Sequence, residues 1–167
     1  MGVNKDYFVD LFRYNQWANR RVWDCAMETT QEDYLKEIGY SIGSVYKQLF
    51  HYLGLERWWI GFLATNESNL LSQEDQVTYQ DRIKLRQLWD ETNAFTLDYI
   101  QSLSDDELQR KVTAPWWDAH SGGITVAQAL THVINHSTDH RAQTMATLHT
   151  LGYEGIEQDF MAYLGHT

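Results

Sequence analysis

The chain has few positions that interrupt a helix, and most of them are grouped. Its only proline is Pro115, and glycines cluster near residues 39–43, 54–61, 122–123 and 152–165. Proline and glycine disfavour the interior of a helix more than any other residue, so they divide a helical chain into segments. The long stretches between these groups are therefore free to form helices.

Four of these stretches repeat apolar residues at intervals of three and four, which is the period of an amphipathic helix. They run from Tyr7 to about Met27, from Ser44 to about Ala64, from Thr78 to about Leu103, and from Thr125 to about Leu151. Ser44 is a suitable N-cap for the second helix. Thr125 and Gln128 form a capping box at the start of the fourth, and Gly152 is placed to end it.

These segments predict an all-α fold, a four-helix bundle in which residues 1–167 form a single domain. The connection at 65–77 is long enough to cross over the bundle, so the order of the helices need not be simple up-and-down. The sequence RKVTAPWWDAHSGGIT at 110–125 predicts a long loop or a short hairpin before the last helix.

The charge balance excludes several classes of partner. With 13 basic and 23 acidic residues the formal net charge is −10, so no basic patch is available for nucleic acid or for an anionic membrane surface. No apolar run approaches the roughly 20 residues that span a bilayer, and charged residues interrupt the N-terminal apolar pattern. Cys25 is the only cysteine, which rules out an intrachain disulfide. We therefore expect a cytoplasmic protein.

Three histidines recur at intervals of four in LTHVINHSTDHRAQ, at His132, His136 and His140. Random placement of the chain's seven histidines gives roughly 0.3 such pairs, and two are present. On a helical wheel of about 100° per residue, His140 lies roughly 60° from the centre of the apolar face, His136 roughly 100° and His132 roughly 140°. His140 is therefore predicted to point into the bundle, His136 to lie at its margin and His132 to point outward.

A metal site would need a further ligand from another helix. A helical pair at i and i+4 can share one cation, but zinc sites have three or four ligands. His51 is the best candidate, because it lies mid-helix among apolar neighbours in VYKQLFHYLGLERWWI and is predicted to be buried. On spacing alone, a core histidine at 51 and a hydrogen-bonded surface pair at 136 and 140 remain open alternatives.

Three segments together carry a family resemblance. The last helix holds Asn135, His136, His140, Arg141, Ala142 and Gln143, the second holds Ser44, His51, Glu56, Arg57, Trp58 and Trp59, and the first holds Tyr14, Asn15, Trp17, Ala18 and Asn19. In this order they resemble the helices of the DinB family, whose last helix carries an N-H-x-x-x-H-R-G-Q-like run. Ala142 departs from the glycine that is usual there, which affects close helix packing and leaves the histidines intact.

The resemblance implies an up-down-down-up bundle, a homodimer, and a divalent ion held by one histidine of the second helix and two of the fourth. Carried over to this sequence, the ligands are His51, His136 and His140. Imidazole ligation suits several metals, and we expect one divalent transition metal, namely Zn, Ni or Fe.

Three neutral imidazoles with an open position are typical of catalytic rather than structural zinc. The family includes transferases that activate a low-molecular-weight thiol, and a metal can stabilise the thiolate, which is the nucleophilic form. We therefore expect a metal-dependent thiol S-transferase with a small-molecule substrate. A metal-dependent hydrolase, which here lacks an HExxH motif, and a non-catalytic metal-binding or stress-related protein are the alternatives.

The segment PWWDAH lies just before the predicted metal-bearing helix. Trp116 and Trp117 are candidates for lining the entrance to a substrate or cofactor site, although packing alone would also explain them. Asp118 and His120 are candidate acid/base groups. Arg141, next to a predicted ligand, is expected to form a salt bridge with a neighbouring helix.

Overall fold

The computed structural model describes residues 4–67, 71–117 and 122–166. Its helices are α1 (Lys5–Met27), α2 (Gln31–Leu35), α3 (Val45–Thr65), α4 (Gln73–Thr78), α5 (Arg82–Ser102), α6 (Val126–Thr150) and α7 (Phe160–His166), with a 3-10 turn at Glu107–Gln109 and strands β1 (Lys111–Val112) and β2 (Ile124–Thr125). Asp118 and His120 lie outside the described residues, so the acid/base roles suggested for them stay predictions.

The expected all-α fold is confirmed, and three of its four long helices begin and end within two residues of their predicted bounds. The exception is α5, which begins at Arg82 because the Asp81 side chain caps it. The residues before it form α4, with a capping box of its own between Ser72 and Asp75. None of the described helices combines the length and the apolar character that crossing a membrane requires.

The predicted helix ends are formed by the expected side chains. The Ser44 hydroxyl accepts a hydrogen bond from the backbone N–H of Lys47 at the start of α3. At the start of α6, Thr125 and Gln128 bond reciprocally, at 3.2 and 2.9 Å. Gly152 follows the end of α6 with φ of 90°, a left-handed conformation that glycine adopts without strain.

The long helices form two antiparallel pairs. The backbone N–H of Lys5 in α1 donates to Asp105, just beyond the end of α5, and Arg86 near the start of α5 contacts Asp24 near the end of α1. Between α3 and α6, contacts such as that of Gln48 with His140 and of Trp59 with His132 likewise run in opposite directions along the two helices. The two helices of each pair therefore run in opposite directions.

A short hairpin closes the segment before α6. Strands β1 and β2 pair antiparallel, with Lys111 opposite Thr125 and Val112 opposite Ile124. Gly123 has φ of +67°, and a Cβ there would lie 2.6 Å from the Val112 carbonyl oxygen. Only glycine therefore fits this position, and the hairpin fixes where α6 begins.

The core consists of two apolar clusters separated by a layer of buried polar residues. One cluster includes Phe12, Ile60 and Val133, and the other includes Trp23 and Leu53. All four long helices contribute to the polar layer between them, which contains Asn15, Asn19, Glu56, Thr92, Thr96, Ser137, His140, Arg141 and Thr144. Burying polar groups is costly unless they are paired, so this layer marks the part of the bundle whose role goes beyond packing.

Candidate metal centre

Three histidines from α3 and α6 converge at one edge of the polar layer. The Nε2 atoms of His51 and His136 lie 3.2 Å apart, and the ring centroid of His140 lies 4.6 Å from that of His51 and 4.3 Å from that of His136. One ring nitrogen of each histidine lies within 4.8 Å of the other two. The structure thus brings together the three residues that the family resemblance indicated.

The geometry and the donor set both fit a transition-metal ion. Two imidazole nitrogens that bind one tetrahedral zinc at about 2.0–2.1 Å lie roughly 3.3 Å from each other, close to the 3.2 Å between His51 and His136. Imidazole nitrogens are also the donors that zinc, nickel and iron accept. Within the described part of the chain, no carboxylate or thiol belongs to the cluster.

Burial differs among the histidines in the order that the helical wheel predicted. His140 is 7% exposed, His136 is intermediate and His132 is exposed. The expectation that His51 is buried is wrong, because it is exposed. Its apolar neighbours Phe50 and Leu55 pack against the core on one side and line an open cavity on the other, and one side of the cluster is therefore accessible.

Electrostatics keep the three imidazoles neutral. The pKa of His136 is lowered to about 3, first by desolvation and then by the neighbouring His140 and His51. Desolvation is also the main cause that lowers the pKa of His51 and of His140. A lowered pKa means that one nitrogen of each ring carries a free lone pair at neutral pH, and only a neutral imidazole can ligate a metal.

A glutamine that sequence reasoning missed orients one of these rings. The Nδ1 atom of His140 lies 2.7 Å from Oε1 of Gln48. An amide oxygen only accepts hydrogen bonds, so Nδ1 carries the proton and Nε2 keeps the lone pair. Nε2 of Gln48 donates in turn to Gln143, which donates to Asp139. Gln48 precedes His51 by three residues and so shares its face of α3, a spacing that could have identified it.

Arg141 joins the polar layer to α1 rather than forming the expected salt bridge, so that prediction is wrong. The side chain is fully buried. It donates hydrogen bonds only to neutral groups among the described residues, namely the side chains of Tyr14, Asn15, Asn19, Thr138 and Gln158. The α1 side chains next to Arg141 include the amides Asn15 and Asn19, whereas a salt bridge would need a carboxylate. Glu56 raises the pKa of Arg141 through its charge and forms no hydrogen bond with it among the described residues.

A cavity of about 960 Å³ opens beside His51. Its walls include Trp58 and Trp59 from α3, and Trp116 and Trp117 from the segment after β1. The structure therefore places Trp116 and Trp117 where an entrance was expected, and their role in binding stays a prediction. Trp58 and Trp59 carried part of the family resemblance and were assigned no binding role from the sequence.

The His132 ring lies between this cavity and the cluster. Its centroid is 5.8 Å from that of Trp59 and 5.8 Å from that of His136. It is not one of the three histidines whose nitrogens converge. His132 thus contacts the His136 ring without belonging to the metal-binding cluster.

These features define a helical-bundle protein with a three-histidine cluster that fits a metal ion and opens on an apolar cavity. The family model of the DinB family matches residues 1–167, and the chain belongs to this family. It is 30% identical to Protein DinB of Bacillus subtilis (strain 168), over 95% of this chain and 94% of that protein. It is also 26% identical to Uncharacterized protein YizA of the same organism, over 92% and 93% of the two chains. The resemblance inferred from the three motifs is confirmed.

Proposed function

We propose that His51, His136 and His140 hold one divalent transition metal and that the protein is an enzyme that transfers a low-molecular-weight thiol to a small-molecule electrophile. The observation that carries this proposal is the convergence of three neutral imidazoles beside an apolar cavity. When bound there, a divalent ion would act as a Lewis acid that stabilises the thiolate form of the thiol.

The chain's own residues hold the ligands and shape the surroundings. Gln48 fixes the tautomer and the plane of the His140 ring. Three uncharged ligands leave the charge of the ion uncompensated, which favours an anionic sulfur over a neutral one. The apolar walls formed by Trp58 and Trp59 limit the access of water to a bound electrophile. In the reaction, the thiol loses its proton to solvent, its sulfur bonds to the electrophilic carbon, and the leaving group departs with the bonding electron pair.

The metal assignment is tested by elemental analysis of protein purified without a histidine tag. We expect about one metal ion per chain, lost in His51→Ala and in His140→Ala. His149→Ala is the matched control, because His149 is exposed near the end of the same helix as His140 and should leave the metal content unchanged. Full retention of metal by both ligand variants would contradict the assignment.

The transferase activity is tested with metal-loaded protein and a chlorinated aromatic acceptor. Glutathione, cysteine, bacillithiol and mycothiol are supplied in turn, and we expect at least one to react faster than with the metal-stripped protein. A metal-binding protein that accelerates no such reaction would instead be a non-catalytic binder.

We also propose that the protein is a homodimer, as the family resemblance implies, and that it is located in the cytoplasm, as its apolar pattern led us to expect. Sedimentation equilibrium on the metal-loaded protein tests the first of these, and a single species at twice the chain mass is expected.

A further inference from the structure

We infer that the cavity beside the three-histidine cluster is a binding site for flat aromatic molecules that are neutral or anionic. The claim that such a molecule is the acceptor substrate rests on the proposed function. The claim that such a molecule binds here rests only on the cavity itself. It names the chemistry of the molecule that the enzyme would modify.

The cavity is large enough for a small molecule of two or three rings. Ligand sites usually enclose roughly 300–1,000 Å³ and are lined mainly by apolar and aromatic side chains. At about 960 Å³, the cavity lies at the upper end of that range. Besides the tryptophans, its lining includes Phe50, Leu55 and Leu71, so most of the surface that a ligand would meet is apolar.

The tryptophans form a continuous wall rather than a cage. The ring centroids of Trp58 and Trp116 lie 4.3 Å apart, and those of Trp58 and Trp59 lie 5.0 Å apart at 87°. Trp117 extends the wall, 6.5 Å from Trp59. Aromatic cages that bind ammonium groups surround one point with ring faces. Here the rings pack on one another, and Trp116, which is 58% exposed against 3% for Trp58 and 4% for Trp59, offers a planar arene a ring face to stack on.

The charge of the lining disfavours a cationic ligand. Among the described residues that line the cavity none is acidic, although the chain as a whole carries a net charge of −10. Lys47 is the only basic residue in that lining apart from histidine, and its Nζ lies 2.6 Å from Glu37. Polar contacts to a ligand are available from the amides of Gln76, Gln80 and Gln128. A neutral or anionic arene meets no repulsion here, whereas a cation finds no counter-charge.

A molecule in this cavity would lie directly beside the histidine cluster. His51 belongs both to the cavity lining and to the cluster, and its Nε2 is 3.2 Å from that of His136. His136 and His140 do not line the cavity. Removing either of these two histidines should therefore abolish metal binding and leave arene binding intact.

The charge preference is tested with three probes that share one ring system: 1-naphthol, 1-naphthoate and 1-naphthylmethylammonium. Binding to the full chain is followed by calorimetry and by quenching of tryptophan fluorescence. We expect saturable binding of the first two and at least tenfold weaker binding of the cation. Tightest binding of the cation, or no saturable binding of any probe, would overturn the inference.

Two variants with matched controls locate the site. Trp116 is 58% exposed, so Trp116→Ala should not unfold the protein, and we expect it to weaken arene binding roughly tenfold. Phe95→Ala removes an aromatic ring of similar exposure (47%) from α5 and should have no effect. Gly54→Leu should fill the cavity from α3, where an added Cβ meets only Leu71 at 3.5 Å. Gly61→Leu, in open space on the same helix, is its control.

Unchanged arene affinity in both Trp116→Ala and Gly54→Leu would overturn the site. His136→Ala separates this inference from the proposed function. If this variant loses the metal and keeps its affinity for naphthoate, the result supports both the metal site and the arene site. If the wild-type protein binds naphthoate and takes up no metal, the result contradicts only the proposed function. With Co²⁺ bound, the proton resonances of naphthoate should broaden through paramagnetic relaxation. Sharp resonances from a bound naphthoate would place it elsewhere and overturn the inference.

Discussion

Gln48 and His140 are joined across α3 and α6 by a hydrogen bond of 2.7 Å between Oε1 and Nδ1. Gln48 is fully buried and His140 nearly so, so water competes little for this bond. Outer partners of this kind set which ring nitrogen faces a metal and how the ring is oriented. The hydrogen bond therefore links the polar layer of the bundle to the geometry of the histidine cluster.

Replacing Gln48 should weaken metal binding without removing a ligand. Gln48→Leu keeps much of the side-chain volume and removes the acceptor for His140. We expect metal affinity, measured by competition with a chromophoric chelator, to fall roughly 10- to 100-fold. Gln101→Leu, on the exposed surface of α5, is the control. An affinity within twofold of wild type would show that Gln48 does not orient the ligand.

Metal binding should raise the thermal stability of the protein, because the cluster joins α3 to α6. An ion that binds only the folded state adds about 2.7 kcal/mol at a hundred times its dissociation constant, or roughly 5–10 °C in Tm for a chain of this size. Scanning calorimetry with and without Zn²⁺ measures the shift. His136→Ala should abolish it, whereas His132→Ala should retain it. Loss of the shift in His132→Ala would mean that the wrong histidine of the repeat has been assigned.

The long helices were predictable because their ends depend on local sequence. Ser44, Thr125 and Gly152 act through backbone groups a few residues away, so their effect can be read without knowing the fold. The order of burial along α6 followed from the helical period for the same reason. The short helices α2, α4 and α7 have too few residues to show a period, and none of them was predicted.

The parts of the site that sequence reasoning missed depend on contacts between distant segments. Apolar neighbours made His51 look buried, but whether they face the core or a cavity depends on how α3 packs against the rest of the chain. Three of the five partners of Arg141 are more than 120 residues away in α1, and no periodicity reveals them. The ligand set itself came from the family resemblance, since spacing alone left His51 open.

Arg141 should be irreplaceable by lysine although both carry a positive charge. The guanidinium donates to five side chains at once, in a planar arrangement that an ammonium group cannot reproduce. Arg141→Lys would leave several buried amide and hydroxyl oxygens without a donor, at about 1–3 kcal/mol each. We expect the free energy of unfolding in urea to fall by roughly 2–4 kcal/mol. Arg20→Lys, at an exposed position of α1, should change it little, and equal effects in the two variants would contradict this reading.

Glu56 should make the stability of the protein depend on pH. Its carboxyl is buried in the polar layer, where Thr96 donates to Oε1 and Oε2 has no partner among the described residues. Burial raises its pKa from 4.5 to about 7, against the opposing effects of Thr96 and Arg141. A raised carboxyl pKa means that the folded protein holds a proton that the unfolded chain has already released between these two values. The free energy of unfolding should therefore fall as pH rises through that window.

Glu56→Gln isolates this contribution, because glutamine keeps the shape and cannot ionise. The stability of wild type relative to Glu56→Gln should fall by roughly 3 kcal/mol between pH 4.5 and 7 and then level off. Urea unfolding at half-unit intervals from pH 4 to 8 measures the difference. Glu91→Gln, at an exposed position of α5, should track wild type across the range. If the difference in the free energy of unfolding between wild type and Glu56→Gln stays constant across this pH range, Glu56 ionises in the folded protein as it does in the unfolded chain. The polar layer would then solvate its charge.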